Sequence, residues 1–200
     1  MIPIGVNAVN LIMGPTSGFF VAPFGTTEPT DAVVSPQGYT TPPASPWADI
    51  GATDGGVTFE ADLTYTDFSV DQLTMSPGAR LTETKITVAT KMSEMTLANL
   101  NTAMNGIGIT GSGSGYNTFD IPVGATSTQP SYVALCIYGW APTLSTGLPA
   151  LRRIIVRKVL SQVKATLAYD KKTQESLDVT FTAYFVSTSI NPVHITDEDS

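Results

Sequence analysis

Residues 45–106 have the sequence SPWADIGATDGGVTFEADLTYTDFSVDQLTMSPGARLTETKITVATKMSEMTLANLNTAMNG, and this stretch decides the fold class. Apolar and polar residues alternate from Phe59 to Tyr65 and again from Arg80 to Met92, which predicts two strands with one buried face each. A Thr-Asp-Gly-Gly turn is predicted ahead of the first strand. Leu81 and Ile86 differ in parity, so we expect a β-bulge between them.

A single helix is predicted after the second strand, at about residues 94–105. Ser93 is a good N-cap, and Asn105 followed by glycine is a typical helix end. The apolar residues recur at helical spacing and predict one stripe packed on a sheet: Leu97, Leu100 and Met104.

Further strands are predicted toward both ends of the chain. Residues 163–169 and 177–185 alternate strictly, and the turn at 170–173 is predicted to join them as a hairpin. The fold class is therefore mostly β, a sandwich or barrel of antiparallel strands with one flanking helix. Two hundred residues suit a single domain, residues 1–200.

Three segments lie outside these predicted elements. Residues 25–46 are rich in Pro, Thr, Gly and Ser and are too long for an idle connector, so we expect them to reach a neighbouring subunit or, in a stacked assembly, the next ring. Residues 107–117 are rich in Gly and Ser and are predicted to be a mobile loop. Residues 191–200 are predicted to be an acidic C-terminal tail.

The charge is low and uneven. Charged residues make up 14% of the chain and the net charge is −7. Residues 1–79 contain eight acidic residues and no basic one, whereas residues 152–172 are strongly basic. Opposite charge at separate places suits head-to-tail contact between copies. The candidate basic face for that contact consists of Arg152, Arg153, Arg157, Lys158 and Lys164.

The sequence offers little that could do chemistry. His194 is the only histidine and Cys136 the only cysteine, and Cys136 lies in an apolar strand where a buried thiol is expected. Zinc sites need clusters of these residues. We therefore predict no catalytic residues, no metal and no cofactor. The chain also has no apolar run of 18 residues, so no membrane partner is expected.

The order of elements resembles the major tail tube proteins of siphophages. The matching pieces are Trp47 on a short strand, Gly55-Gly56-Val57, Asp71-Gln72 at the end of an acidic strand, and the helix closed by Gly106. Residues 17–25 resemble the opening strand of that family, and residues 151–185 resemble its closing pair.

This resemblance implies a homo-oligomer of hexameric rings stacked into a virion tail tube, assembled in the host cytoplasm. Genome DNA would pass through the lumen without specific binding. Other tail proteins, namely a tape measure, a tail terminator and a tail tip, would be partners. A conduit should not attract phosphates, so acidic residues are the candidate lumen lining. They are Glu60, Asp62, Asp67 and Asp71.

Two other interpretations stay open from the sequence. One is a binding module, either a capsid decoration protein or a carbohydrate-binding β-sandwich. It would need an exposed aromatic patch, and the two tryptophans, Trp47 and Trp140, lie in strand-like apolar contexts. The other is the tube protein of a contractile tail or secretion system, which shares the architecture.

Overall fold

A computed structural model describes residues 12, 14, 16–31, 42–121, 130–142, 150–162, 166–167 and 174–198. Lys164, the hairpin turn predicted at 170–173 and the middle of the 25–46 loop lie outside these residues. The elements are β1 (Gly18–Pro23), β2 (Ala48–Asp49), β3 (Thr53–Asp67), β4 (Ala79–Met92), α1 (Leu97–Ala103), β5 (Ile109–Gly113), β6 (Tyr116–Asp120), β7 (Val133–Ala141), β8 (Ala150–Ser161), β9 (Leu177–Ala183) and β10 (Val193–Asp197).

One antiparallel sheet organises the described chain. Its strand order is β2-β1-β7-β8-β9-β4-β3, and β10 pairs with the part of β8 that β9 leaves free. A separate hairpin is formed by β5 and β6. The predicted mostly β, antiparallel fold with one helix is confirmed.

The centre of the sheet is buried on both faces because its strands alternate two sets of apolar side chains. On one face, Phe19, Leu135 and Val156 belong to the main core, which the helix end covers with Ala103. On the other face, Phe20 and Cys136 belong to a second cluster that includes Trp47.

The sheet curls around the main core. The rings of Phe19 on β1 and Phe181 on β9 pack edge to face with centroids 6.3 Å apart, although two strands lie between them. Three strand spacings would span roughly 14 Å in a flat sheet. The curl therefore closes one face over the core and leaves β3 at an open end.

The β3–β4 hairpin carries the predicted bulge. Thr64 pairs with Glu83 and Tyr65 with Leu81, so Thr82 is the extra residue. The turn predicted at residues 53–56 is instead a second irregularity inside β3, between Thr53 and Val57. Gly55 and Gly56 have φ values of 76° and 81° there, a conformation that glycine adopts without strain.

The helix is shorter than predicted. It begins after Thr96, whose hydroxyl accepts from the Asn99 amide, so Ser93 is not the N-cap. The predicted stripe is only partly correct. Leu100 packs against the core but Leu97 is 38% exposed, while Asn99 and Ala103 are buried. Asn99 can be buried at little cost because its side-chain amide donates to the carbonyls of Ile50 and Glu94.

Two segments predicted to lack regular structure are strands. Residues 107–117 include β5 and the start of β6, joined by a two-residue turn in which Gly115 has φ 84°. The prediction that this segment is a loop without regular structure is therefore wrong, because glycine in the turn permits a tight hairpin. The predicted acidic tail contains β10, which pairs with β8 from Val193 to Asp197.

Candidate assembly surfaces

The distal half of the β3–β4 hairpin projects from the body. We call residues 60–85 the arm, and residues 68–78, between the two strands, the arm tip. Every residue of the arm is exposed, on both faces of the hairpin. The arm is therefore a surface that the described part of the chain does not cover.

One face of the arm is apolar and continues from the core. Phe59 and Val88 oppose each other at its base, where Val88 is fully buried. Farther out, Ala61 opposes Ile86, and Tyr65 opposes Leu81. Directly opposed residues in an antiparallel pair share a face. Leu63 and Tyr65 lie on this face and are 48% and 59% exposed. The face that the alternation predicts to be core is thus uncovered over the arm.

The other face of the arm is polar, and it carries only two of the four candidate lumen acids. Glu60 and Asp62 share it with Lys85 and Glu83. Asp67 alternates onto the apolar face, and Asp71 lies in the arm tip. Within the described residues, none of the four acids forms an ion pair. Their place relative to a lumen remains a prediction.

The sheet has an open edge at β3. This 15-residue strand ends the strand order, and it pairs only with β4 in the described part of the chain. An unpaired edge of that length presents a row of backbone N–H and C=O groups that another strand can pair with. The edge and the arm lie on the same strand.

The basic segment, by contrast, is largely neutralised within the chain. Arg153 is 1% exposed and pairs with Asp31, and it also donates to the Thr30 carbonyl. Arg152 donates two hydrogen bonds of 2.6 Å to Asp197. These hydrogen bonds hold the pKa of Asp197 below its ordinary value. Lys164 lies outside the described residues.

Arg157 completes this set of internal pairs. It binds the carboxylate of Glu28 and donates to the Asn191 carbonyl. Three of the five predicted interface bases therefore have carboxylate partners in their own subunit. Lys158 differs, because within the described residues it has no carboxylate partner. A role for this face in contacts between copies stays a prediction.

The ion pairs of Arg153 and Arg157 hold residues 25–31, the start of the long loop, on the sheet. His194 on β10 lies between the two loop acids, with Nδ1 3.6 Å from Glu28 Oε2 and Nε2 3.7 Å from Asp31 Oδ2. The Thr196 hydroxyl donates to Asp31 Oδ1 at 3.0 Å. The only histidine of the chain thus connects the start of the long loop to β10.

The remaining residues that could do chemistry are enclosed or scattered. Burial raises the pKa of the Cys136 thiol to about 11, which disfavours the reactive thiolate at neutral pH. Among the described residues, no group of three or more His, Cys, Asp or Glu side chains could hold a metal ion. Trp47 is 8% exposed, so it offers no platform for a sugar ring.

The apolar side chains of the arm tip were not predicted from the sequence. They are Phe68, Val70, Leu73 and Met75, with exposed fractions of 51%, 41%, 56% and 82%. Their signal was present, because four large apolar residues fall between the two alternating runs at 59–65 and 80–92. Connections between strands normally carry polar residues on the surface.

Helices of a length and apolarity that could cross a membrane are absent from the described residues.

An antiparallel sheet with an open edge, an exposed apolar arm and internally paired charges is typical of a structural protein that assembles through its surfaces. Comparison with known families makes this class specific. A family model described as phage tail tube protein matches residues 4–198, and the chain belongs to that family. No curated protein matches the chain in sequence. The chain is therefore a structural component of a phage tail, which assembles with other tail proteins.

Proposed function

We propose that this chain is the major tail tube subunit of a siphophage, and that it forms hexameric rings stacked into a tube that conducts DNA during ejection. The observation that carries the proposal is the open end of the sheet. The β3 strand has no partner on its outer side within the described residues. The arm, which includes the second half of β3, is exposed on both faces.

Ring closure gives this open end a partner. A neighbouring subunit that pairs with the β3 edge would continue the sheet, and repetition around a ring would cover this edge in every subunit. The apolar face of the arm, with Leu63 and Tyr65, would then be covered by other copies. Burying apolar surface contributes roughly 25 cal/mol per Å², so covering this face in every copy would add substantial stability.

The polar face of the arm is the proposed lumen surface. If Glu60 and Asp62 line the tube, stacked rings present like charge to the DNA phosphates. The repulsion acts over a Debye length of about 8 Å at physiological salt, which favours passage without binding. Lys85 on the same face reduces this charge but does not reverse it.

The test of assembly is negative-stain electron microscopy of the purified protein at rising concentration. Hollow fibres built from six-fold rings are expected, and salt should change their rate of formation by screening the charged contacts. A protein that remains monomeric by light scattering at every concentration and salt would contradict the proposal.

The conduit is tested separately, in phage. Glu60→Lys combined with Asp62→Lys should leave tubes intact, because both residues are exposed, but should slow DNA ejection and make it salt-sensitive. Asp120→Lys, at the exposed end of β6 in the separate β5–β6 sheet, is the control and should eject normally. Normal ejection from intact tubes of the double variant would show that the polar face does not line the DNA path.

A further inference from the structure

The arm tip has internal hydrogen bonds, but its apolar side chains are uncovered. The backbone amide of Phe68 donates to the Gly78 carbonyl at 2.8 Å, and the Ser76 hydroxyl bonds the carbonyls of both residues. A turn between Val70 and Leu73 shapes the end of the tip. These bonds fix the backbone, whereas the apolar side chains remain exposed. A surface that is already shaped loses little conformational freedom when it binds.

A complementary surface lies elsewhere on the same chain. We call Phe24, Tyr132, Lys158 and Phe185 the aromatic–lysine patch. The Lys158 ammonium lies 4.4 Å from the Tyr132 ring centroid and 5.4 Å from that of Phe24, and it donates to the Phe185 carbonyl. Phe24 and Phe185 are 43% and 69% exposed. The patch combines exposed aromatic rings with the one described base of the predicted basic face that has no carboxylate partner.

The two surfaces match in chemistry. The tip presents exposed apolar side chains beside the carboxylates of Asp67 and Asp71, which have no ion-pair partner among the described residues. The patch presents aromatic rings beside an ammonium that lacks a carboxylate. A contact between them would cover apolar surface on both sides and pair the charges.

We infer that the arm tip of one subunit docks on the aromatic–lysine patch of a second copy, with Asp71 paired to Lys158. The occupant is a second copy because both halves of the contact lie on this one chain. Two different patches that fit each other make a heterologous contact, which repeats from copy to copy and builds rings or open stacks. This inference rests on the proposed tube, since it names the surfaces that hold its subunits together.

Cross-linking between two singly substituted subunits tests the contact directly. Met75→Cys places a thiol on the tip, and Phe185→Cys places one on the patch. A short bis-maleimide added to a mixture of the two should join tip to patch, giving dimers that neither variant gives alone. The native thiol of Cys136 is buried and should stay silent. Met75→Cys mixed with Tyr116→Cys is the matched control and should give no dimer; Tyr116 on β6 is 64% exposed, close to the 69% of Phe185.

The outcomes separate this inference from the proposed function. Tubes without tip-to-patch dimers would overturn the docking inference but would not contradict the proposed tube. Tip-to-patch dimers without tubes would support the contact and count against the tube. Dimers from the Tyr116→Cys control as well would show random collision and would overturn the specific contact.

A charge exchange tests the same contact without cysteine. Asp71→Lys and Lys158→Glu should each raise the concentration needed for assembly about tenfold, because each places like charges together. The double variant should recover most of that loss. Circular dichroism and thermal melting check that Lys158→Glu is folded. Single variants that assemble like the parent, or a double variant no better than a folded Lys158→Glu, would overturn the Asp71–Lys158 pairing.

Discussion

The centre of the sheet and the arm are built from the same kind of alternating strand, yet they end in opposite environments. In the centre, β7 and β8 are covered on both faces, by the main core and by the cluster around Trp47. In the arm, the alternation of β3 and β4 continues but both faces are exposed. The charges follow the same division, since Arg153 and Arg157 have internal carboxylates and the acids of the arm have none in the described chain.

The difference shows where the chain completes its own fold and where it leaves surface for other molecules. The apolar face is buried at the base of the arm and exposed farther out. In an isolated subunit, its exposed part therefore contributes little to the free energy of unfolding. Monomeric proteins rarely expose large contiguous apolar patches, and such patches usually mark contacts with other proteins. The centre should therefore control the stability of the subunit, whereas the arm should control its assembly.

The largest effect is expected from truncating the core. Phe181→Ala removes a fully buried ring that packs against Phe19, and should lower the free energy of unfolding by about 3–5 kcal/mol. Leu63→Ala on the apolar face of the arm is the matched change and should cost less than about 1 kcal/mol in the monomer. Urea denaturation measures both. Equal losses would mean that the arm is packed in the isolated subunit.

A smaller loss is expected from breaking an internal ion pair. Asp31→Asn leaves the guanidinium of Arg153 buried without its carboxylate, and should cost about 1–3 kcal/mol. Asp54→Asn removes the exposed partner of Lys91 and should cost less than about 1 kcal/mol. Thermal melting compares the two. An Asp31 variant as stable as the Asp54 variant would show that the pairing does not hold the loop.

The smallest effect is expected at the pair between β8 and β10. The folded-state pKa of Asp197 is lowered by hydrogen bonds from Arg152, so its stabilisation is present above the ordinary pKa of 3.8 and is lost as pH falls through the folded value. Because the pair is about a third exposed, Asp197→Asn should cost less than about 1 kcal/mol at neutral pH.

The check on that pair is the unfolding free energy as a function of pH. The difference in unfolding free energy between the parent and Asp197→Asn should decrease below about pH 4 and vanish at more acidic pH. A gap that stays constant through the acid range would mean that the substitution acts through packing instead of charge.

Much of the sheet was predictable because its signals are local. The alternation in β3, β4 and β9 predicted strands, and the parity change between Leu81 and Ile86 predicted the bulge at Thr82. The helix end was predicted to within two residues: the helix ends at Ala103, and Asn105 and Gly106 follow the Met104 cap with φ values of 56° and 68°, as expected of residues that close a helix. The helix start was not, because Thr96 competes with Ser93 as N-cap and the Glu94 carboxylate instead accepts from the Ala52 amide.

The candidate surfaces were less predictable because they depend on distant parts of the chain. Alternation shows that a strand has an apolar face, but not whether the same subunit covers it, so the exposure of Leu63 could not be inferred. The basic segment was predicted to form a face for contact with another copy. Arg153 is neutralised by Asp31, 122 residues away in sequence, and no local pattern indicates that pairing.

Asn105 covers a stretch of the β8 edge that β7 leaves unpaired. Its side-chain amide donates to the Ser161 carbonyl and accepts from the Ser161 amide, at 2.8 and 2.7 Å. These are the groups that β7 would bond if it extended two residues beyond its Val133–Val159 pair. The amide thus imitates one peptide unit of a missing strand and blocks a foreign strand from joining β8 there. In the proposed tube, strand pairing between copies would thereby be directed away from the middle of the sheet and toward its open end at β3.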